Sequence, residues 1–287
     1  MALAQRIGGT IINADASQLY ADLRVVSARP SAADEARVPH LMYGVIDGDD
    51  AASAARWAGM AKAAIAEVQA AGRVPILVGG SGMYLATLID GIAPVPAIAA
   101  DVRAAVRGMD PAAAAAALAL EDPALAARLL AGDRQRIARG LEVVRSTGRS
   151  LLHWQATRAG GIGGLMDVRG VVVTAERPVL HARAAARLHG MVADGALDEV
   201  AALLARGLPD DRPVLRALGV VQFAAVLAGA TPLAAAIADA ATVTRQYQKR
   251  QLTWARNQVA EWPRVDRSDD DTAAWLTEQV FAQHYRK

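Results

Sequence analysis

The chain contains no cysteine, which excludes disulfide bonds and thiolate metal sites together. Its five histidines, His40, His153, His181, His189 and His284, include no pair at i, i+4, the spacing that sets two imidazoles on one helix face, so a zinc site is not expected. Lysine is scarce too, occurring only at Lys62, Lys249 and Lys287. Arginine therefore carries the positive charge. Its fork matches phosphate geometry and stacks on bases, so the net charge of +2 and pI of about 9.1 lean toward nucleic acid or phosphorylated ligands, although a GC-rich genome gives the same bias. No apolar run reaches the roughly 20 residues that span a bilayer. The opening "MALAQRIGG" lacks the cationic start and long apolar core of a secretory signal, so the expectation is a cytoplasmic chain.

What is present is apolar: 53% of 287 residues are hydrophobic, enough for a large core in one elaborated domain or two. "MALAQRIGG" reads as the end of a helix stopped by Gly8 and Gly9, and "TIINA" as a short buried strand. In "SAARWAGMAKAAIAEVQAAG", Ser53 is a candidate N-cap, Trp57, Ala61, Ile65 and Val68 recur at helical spacing, and Gly72 ends the helix. "RVPILVGGSGMY" then gives a second buried strand, Val74 to Val78, opening into a glycine-rich turn. Strand, crossover helix and strand predict a parallel α/β sheet. From about Pro94 to Leu152 the sequence is alanine-rich, helical and free of strand-like runs, which marks a helical insertion. "GVVVTAERP", residues 170 to 178, is expected to rejoin the sheet, with Pro178 opening a long helix that runs to about Gly207. "ATVTRQYQKRQLTWARNQVAEW" is strongly helical, and the segment after Pro263 reads as a surface tail ending in a short helix.

Ligands of open parallel sheets bind beyond the carboxyl ends of strands, where both Asp15 and the Gly79–Gly82 turn fall. Asp15 at such a place serves as an acid or base, or as a helix cap or Asx-turn. The turn offers backbone N–H groups to phosphate, or is simply a tight strand-to-helix connection. Arg183 and Arg187 share a face at i, i+4 beside the stripe Leu180, Ala184, Leu188 and Met191. That pair is either a diphosphate clamp or a solvated face. In "RQYQKRQLTWAR" Arg245 and Lys249 share one face while Tyr247 and Trp254 share another, a pattern that suits an RNA backbone and equally a surface helix.

The order of these segments resembles one family, the tRNA dimethylallyltransferases. "INADASQLY" is similar to the family's strand ending in Asp-Ser-x-Gln-x-Tyr. "SARPSAADEARVPH" is similar to its (Thr/Ser)-Ala-Lys-Pro…Val-Pro-His stretch, with Arg29 in place of lysine. "GRVPILVGGSGMYLATLIDG" is similar to its Gly-Gly-Thr-Gly-x-Tyr segment, with Ser81 for threonine. "DRQRIARGLEVVRSTG", "LHARAAARLHGMVADGALDEV", "LRALG" and "TRQYQKRQLTWAR" follow in the same order.

The resemblance implies an α/β, P-loop NTPase-like parallel sheet core over 1–97 and 153–287, with a helical insertion at 98–152 that grips the anticodon arm. The implied reaction moves a dimethylallyl group from dimethylallyl diphosphate to N6 of adenosine 37 in tRNA. A nucleotide-binding P-loop fold, Mg²⁺ and a monomer without membrane attachment are expected. Asp15 would act as general base, because the adenine amine is a poor nucleophile whose proton must leave as the new bond forms. Ser81, Arg183 and Arg187 would meet the departing diphosphate. Contacts to tRNA would come from Asp15, Ala16, Ser17, Gln18, Ser81, Arg103, Gln135, Arg136, Ile137, Ala138, Arg139, Arg216 and Gly219. The target adenosine would have to be flipped out of its stack.

Two departures stand out. The family's first strand and its Gly-Lys-(Ser/Thr) P-loop have no counterpart, since no Gly-Lys pair occurs anywhere. Either the true start lies upstream of Met1 or the chain is a truncated relative; as written, the 287 residues would be a poor catalyst, and loss of that central strand would expose apolar neighbours and two strand edges. Second, Val220 and Val221 stand where the family carries Tyr-(Arg/Lys), which removes a polar tRNA contact. Two rival functions are a non-catalytic tRNA-binding relative and an adenylate isopentenyltransferase. The second has no need of an anticodon-gripping insertion.

Overall fold

The computed structural model describes residues 1–265 and 274–275 of the chain. It divides into two compact units, Met1–Thr87 with the described residues from Asp167 onward, and Leu88–Met166. In the first, helix α1 (Ala2–Ile7) stops at Gly8, which adopts φ 63°, a conformation that glycine reaches without steric cost. Strand β1 (Gly9–Asn13) follows and is buried at every position. It pairs in parallel with β2 (His40–Leu41) on one edge and β3 (Val74–Val78) on the other, giving the order β2-β1-β3. Helix α2 (Ala32–Arg37) precedes β2, started by a reciprocal capping box between Ser31 and Asp34.

The crossover from β1 to β3 is α3 (Ala54–Ala70), and its N-cap Ser53 accepts the Arg56 N–H as predicted. Its inward face is Trp57, Ala58, Ala61, Ala64, Ile65 and Val68, so the helix packs on the sheet through small residues around one large ring. Trp57 is fully buried, donates from Nε1 to the Asn13 carbonyl at 2.9 Å, and stacks on Tyr84 with ring centroids 5.0 Å apart. Arg73, just before β3, ties the other end of the sheet by donating to Thr10 Oγ1 at 2.8 Å and to the Gly9 carbonyl at 2.5 Å.

Helix α4 (Gly82–Asp90) follows β3. The second unit comprises α5 (Ala100–Arg107), α6 (Pro111–Glu121), α7 (Pro123–Ala126), α8 (Arg134–Thr147) and α9 (Leu151–Gln155). Its core joins Val106, Leu118, Leu125, Ile137 and Leu141. The alanine tract is α6, begun by Asp110, which accepts from Ala112 and Ala113, and by Pro111 at the first position.

The chain then returns through β4 (Val172–Val173), α10 (Arg177–Ala193), α11 (Ala196–Ala205), α12 (Val220–Leu227), the 26-residue α13 (Leu233–Gln258) and β5 (Arg264–Val265). Two expectations need correction. The segment 170–178 does not rejoin the main sheet: Val172 N–H and Thr174 N–H are satisfied by the carbonyls of Pro263 and Val265, forming a separate β4-β5 pair. Consequently the start of the expected surface tail is strand, while apart from 274–275 the remainder of that tail lies outside the described residues. Nor is 178–207 one helix. Gly195 at φ 96° cannot continue a right-handed helix and redirects the chain into α11. Along β3, the edge away from β1 has no strand partner among the described residues, and Val78 is exposed. No described helix is long and apolar enough to cross a membrane.

Replacing Trp57 with alanine is expected to lower the unfolding free energy by about 3–5 kcal/mol, the usual cost of emptying a large aromatic site. Denaturant unfolding measures it. A cost below about 1 kcal/mol would mean that Trp57 is not the anchor of α3 on the sheet.

Candidate active site

The β1-β3 ladder continues one residue past the strands. Ala14 N–H donates to the Val78 carbonyl at 2.8 Å, and Ser81 N–H donates back to the Ala14 carbonyl at 3.2 Å. This closeness needs Gly79, since a Cβ there would sit 2.2 Å from the Ala14 carbonyl carbon. Gly80 and Gly82 are likewise filled from above, by Gln251 and the Trp254 ring of α13. The glycine-rich turn is thus a packing device that admits α13 against the strand ends.

Asn13 shapes the exit of β1. Its side chain is fully buried, accepts from Asp15 N–H at 2.7 Å and donates to the carbonyls of Asp15 and Met42 at 3.0 and 3.1 Å. Asp15 in turn accepts from Ser17 N–H at 2.9 Å and Ser17 Oγ at 2.6 Å. The Asx-turn reading is therefore correct as far as it goes. Both bonds fall on Oδ1, and among the described residues Oδ2 accepts none. Beside it, Ser81 Oγ accepts from Ala16 N–H at 3.0 Å. Two side chains 66 positions apart in sequence are brought to one spot by the strand pairing.

Asp15 lines a crevice of about 530 Å³ within the first unit, and Ser81 stands just behind that lining, bonded to Ala16 and in contact with the Tyr247 hydroxyl. Asp15, Ala16, Ser17 and Gln18 form one side and Arg187 of α10 another. Arg216, from a short 3₁₀ turn at Pro213–Arg216, completes the residues placed there by both sequence and structure. Arg183 sits one helical turn before Arg187, exposed and outside the lining. Gly219, at φ 94°, starts α12 and packs near Val26. Val220 is buried and Val221 is 56% exposed, so the two valines offer no polar group.

The remaining predicted tRNA contacts belong to the second unit: Arg103 on α5 and Gln135 to Arg139 on α8. Arg103, Gln135 and Arg136 are exposed, and Arg139 pairs with the buried Glu142 at 3.5 Å, as does Arg107 at 3.2 Å. Ile137 requires correction. Its side chain is part of that unit's core and is not offered to a ligand.

Sequence reasoning singled out Tyr247 in "RQYQKRQLTWAR" as part of a face suited to an RNA backbone, but did not identify the polar crevice wall that α13 forms. Thr244, Tyr247, Gln248 and Gln251 face the crevice at i, i+3, i+4, i+7, a polar stripe whose spacing is the one signal that could have found it. Arg250 joins them and places its guanidinium 5.6 Å from the centre of the Tyr247 ring. Tyr84 faces in from α4. Burial raises the pKa of Tyr247, hydroxyl contacts with Ser81 and Gln251 partly offset this, and the Asp15 charge adds to it. Burial likewise pushes Tyr84 and Tyr43 up to about 12, with the Asp15 charge contributing at each. Of these phenols Tyr84 and Tyr247 line the crevice, and a raised pKa keeps them protonated to higher pH than in water.

Chemically the crevice combines one carboxylate, hydroxyl donors and the arginines 187, 216 and 250. That set can take a proton and hold an anionic leaving group. For Mg²⁺ the donors are thin: no cluster of three or more His, Cys, Asp or Glu exists among the described residues. One carboxylate with hydroxyls does not by itself build a resident magnesium site.

The IPP transferase family model matches residues 18–258. A tRNA dimethylallyltransferase of Sphingopyxis alaskensis is 54% identical over 266 residues, 92% of this chain and 87% of that one. Another, from Novosphingobium aromaticivorans, is 50% identical over 257 residues, covering 89% and 92%. Among solved structures, the tRNA isopentenylpyrophosphate transferase of Bacillus halodurans superposes with a TM-score of 0.70 at 29% identity, covering 98% of this chain and 90% of that one. A eukaryotic dimethylallyltransferase acting on tRNA has the same fold, with a TM-score of 0.78 at 22% identity over 99% and 72% of the two chains.

A raised folded-state pKa means that the native protein holds protons the unfolded chain releases, so stability falls as pH rises from about 10 toward 12. Spectrophotometric titration is expected to show Tyr43 and Tyr84 still phenolic near pH 11, with Tyr84→Phe removing one late-titrating group. Ordinary titration of both near pH 10 would place them in water.

Proposed function

The chain belongs to the IPP transferase family and is an enzyme of the tRNA dimethylallyltransferase type, and from that premise we propose how its crevice carries the transfer. The acceptor is the exocyclic N6 amine of an adenosine, taken as adenosine 37 beside the anticodon. The donor is dimethylallyl diphosphate. The amine nitrogen forms a bond to the primary carbon of the dimethylallyl group while the carbon–oxygen bond to diphosphate breaks. The nitrogen's proton passes to Asp15 Oδ2 and the diphosphate leaves with the bond's electron pair.

The observation that carries this reading is that Asp15 lines one crevice with Arg187 while Ser81, from the other strand end, holds the neighbouring Ala16 N–H at 3.0 Å. The Ser17 bonds hold the Asp15 carboxylate in one orientation and leave the second oxygen for the proton. The arginines, with Ser81, oppose the charge that grows on the diphosphate, an interaction stronger in the transition state than in the ground state. Arg183 extends that cationic face of α10 toward solvent.

On the acceptor side, Asp15 to Gln18 and Arg216 to Gly219 would meet the flipped nucleotide, while Arg103 and the polar members of Gln135–Arg139 would meet the anticodon arm. The base must leave its stack because the amine is inaccessible inside it. Any Mg²⁺ would arrive with the diphosphate rather than wait in the protein. Work on tRNA fits a monomer in the cytoplasm. A non-catalytic tRNA-binding role leaves the Asp15–Ser81 geometry without purpose, and an adenylate acceptor leaves the arginines of α5 and α8 without one.

Asp15→Asn keeps an oxygen for the Ser17 bonds but cannot take the proton. It is expected to slow transfer by about 10²-fold or more with tRNA affinity nearly unchanged. Rate and affinity falling together would remove Asp15 from the base role.

A further inference from the structure

The wall of the crevice facing α13 includes Val26, Ser27 and Ala28, from a loop that has no regular structure. Ala28 holds φ 54°, one of two described non-glycine residues with positive φ, the other being Met42. Such a conformation persists only where the surroundings over-determine it. Two side chains do so here.

From the crevice side, Gln18 Nε2 donates to the carbonyls of Ser27 and Ala28, each at 2.9 Å. From the opposite side, Glu199 of α11 receives three consecutive backbone N–H groups. Its Oε1 accepts from Arg24 at 2.6 Å and from Val25 at 2.8 Å, and its Oε2 accepts from Val26 at 2.8 Å. Successive N–H groups converging on one point form an anion-binding nest, which here is filled by the chain's own carboxylate across 175 positions of sequence. Charge-assisted bonds of this kind are about twice as strong as neutral ones, and three on one carboxylate add to the turn bonds within the loop, such as Ser27 Oγ to the Leu23 carbonyl at 2.8 Å, and to the burial of Leu23 and Val26. The loop also bears on Gly219, where a Cβ would sit 3.1 Å from Val26 Cγ1. It is therefore wedged between Gln18 and Gly219, two residues on the acceptor side of the site.

We infer that Glu199 is a positioning residue for the acceptor nucleotide: its carboxylate fixes the 23–28 loop, and through the loop the Gln18 amide, as one wall of the crevice. It touches neither substrate. This rests on the reading of Asp15–Gln18 and Arg216–Gly219 as acceptor contacts, and it makes an electrostatic clamp on the far side of the loop a determinant of tRNA use but not of donor use.

The test compares wild type, Glu199→Gln and Glu199→Ala in steady-state transfer, with tRNA and dimethylallyl diphosphate varied separately, alongside hydrogen exchange of the Arg24, Val25 and Val26 amides. Glu199→Ala is expected to raise KM for tRNA about tenfold or more while KM for the diphosphate stays within about twofold. Glu199→Gln should fall between, because a carboxamide oxygen keeps two of the bonds while its NH₂ opposes the third N–H. Exchange of the three amides should quicken in the same order. If the alanine variant does not fold, the glutamine variant carries the comparison. Faster exchange with an unchanged KM for tRNA would reduce Glu199 to a brace of the fold, and unchanged exchange would remove the clamp. A wild-type protein that transfers nothing to tRNA would overturn the acceptor reading itself, and this inference with it.

Discussion

The closeness of two strand ends governs this structure. Because position 79 carries no side chain, the backbone leaving β3 comes against Ala14, and the ladder between β1 and β3 extends into the loops by the Ala14–Val78 and Ser81–Ala14 bonds. That extension fixes Ala16 under Ser81 Oγ and sets Asp15 beside it. A site assembled from loop residues is thereby given the rigidity of a sheet. Catalysis by positioned groups depends on such rigidity, since small misplacements of a base or donor cost large factors in rate.

The surroundings of Asp15 follow from the same contact. The small residues of the turn let α13 descend until Gln251 and Trp254 occupy the space over Gly80 and Gly82, and this closes the crevice with Tyr247 and Gln248. Trp57 stacks on Tyr84 below. The carboxylate thus lies near phenols whose pKa is raised first by their burial and further by its own charge, in a place where water is partly excluded and charge counts for more than it would in solution. Core packing and site chemistry are one arrangement here: Trp57 anchors a helix, and it also backs a crevice wall.

The parts legible in the sequence are those whose signals are local. β1, α3 and β3 announce themselves through an apolar run, the Ser53 cap and the Val74–Val78 run, and the structure places them with nearly those boundaries. Asp15, Gln18, Ser81, Arg187 and Arg216 were legible only through order along the chain, because no single spacing distinguishes a base from an Asx-turn, and Asp15 is in the Asx-turn in any case. The β4-β5 pair was not legible: two residues per strand carry no periodicity, and which carbonyls satisfy Val172 and Thr174 is decided across the fold. Gly195 was visible but reads as an ordinary helix residue until its φ is known. Glu199 was hidden for a similar reason. An acid in the first turn of a helix is commonplace, and only the distant Arg24–Val26 amides give it a task.

The central claim is that the approach of the β3 exit to Ala14 holds the reacting groups in register. Gly79→Ala tests it most directly, since its Cβ must displace the Ala14 backbone from 2.2 Å while the residue's own backbone angles suit alanine. Unfolding cooperativity and the turnover rate for transfer to tRNA would be measured on the same preparation. The account predicts a protein that still unfolds cooperatively but turns over at least about tenfold more slowly. Turnover equal to that of the wild type would contradict it.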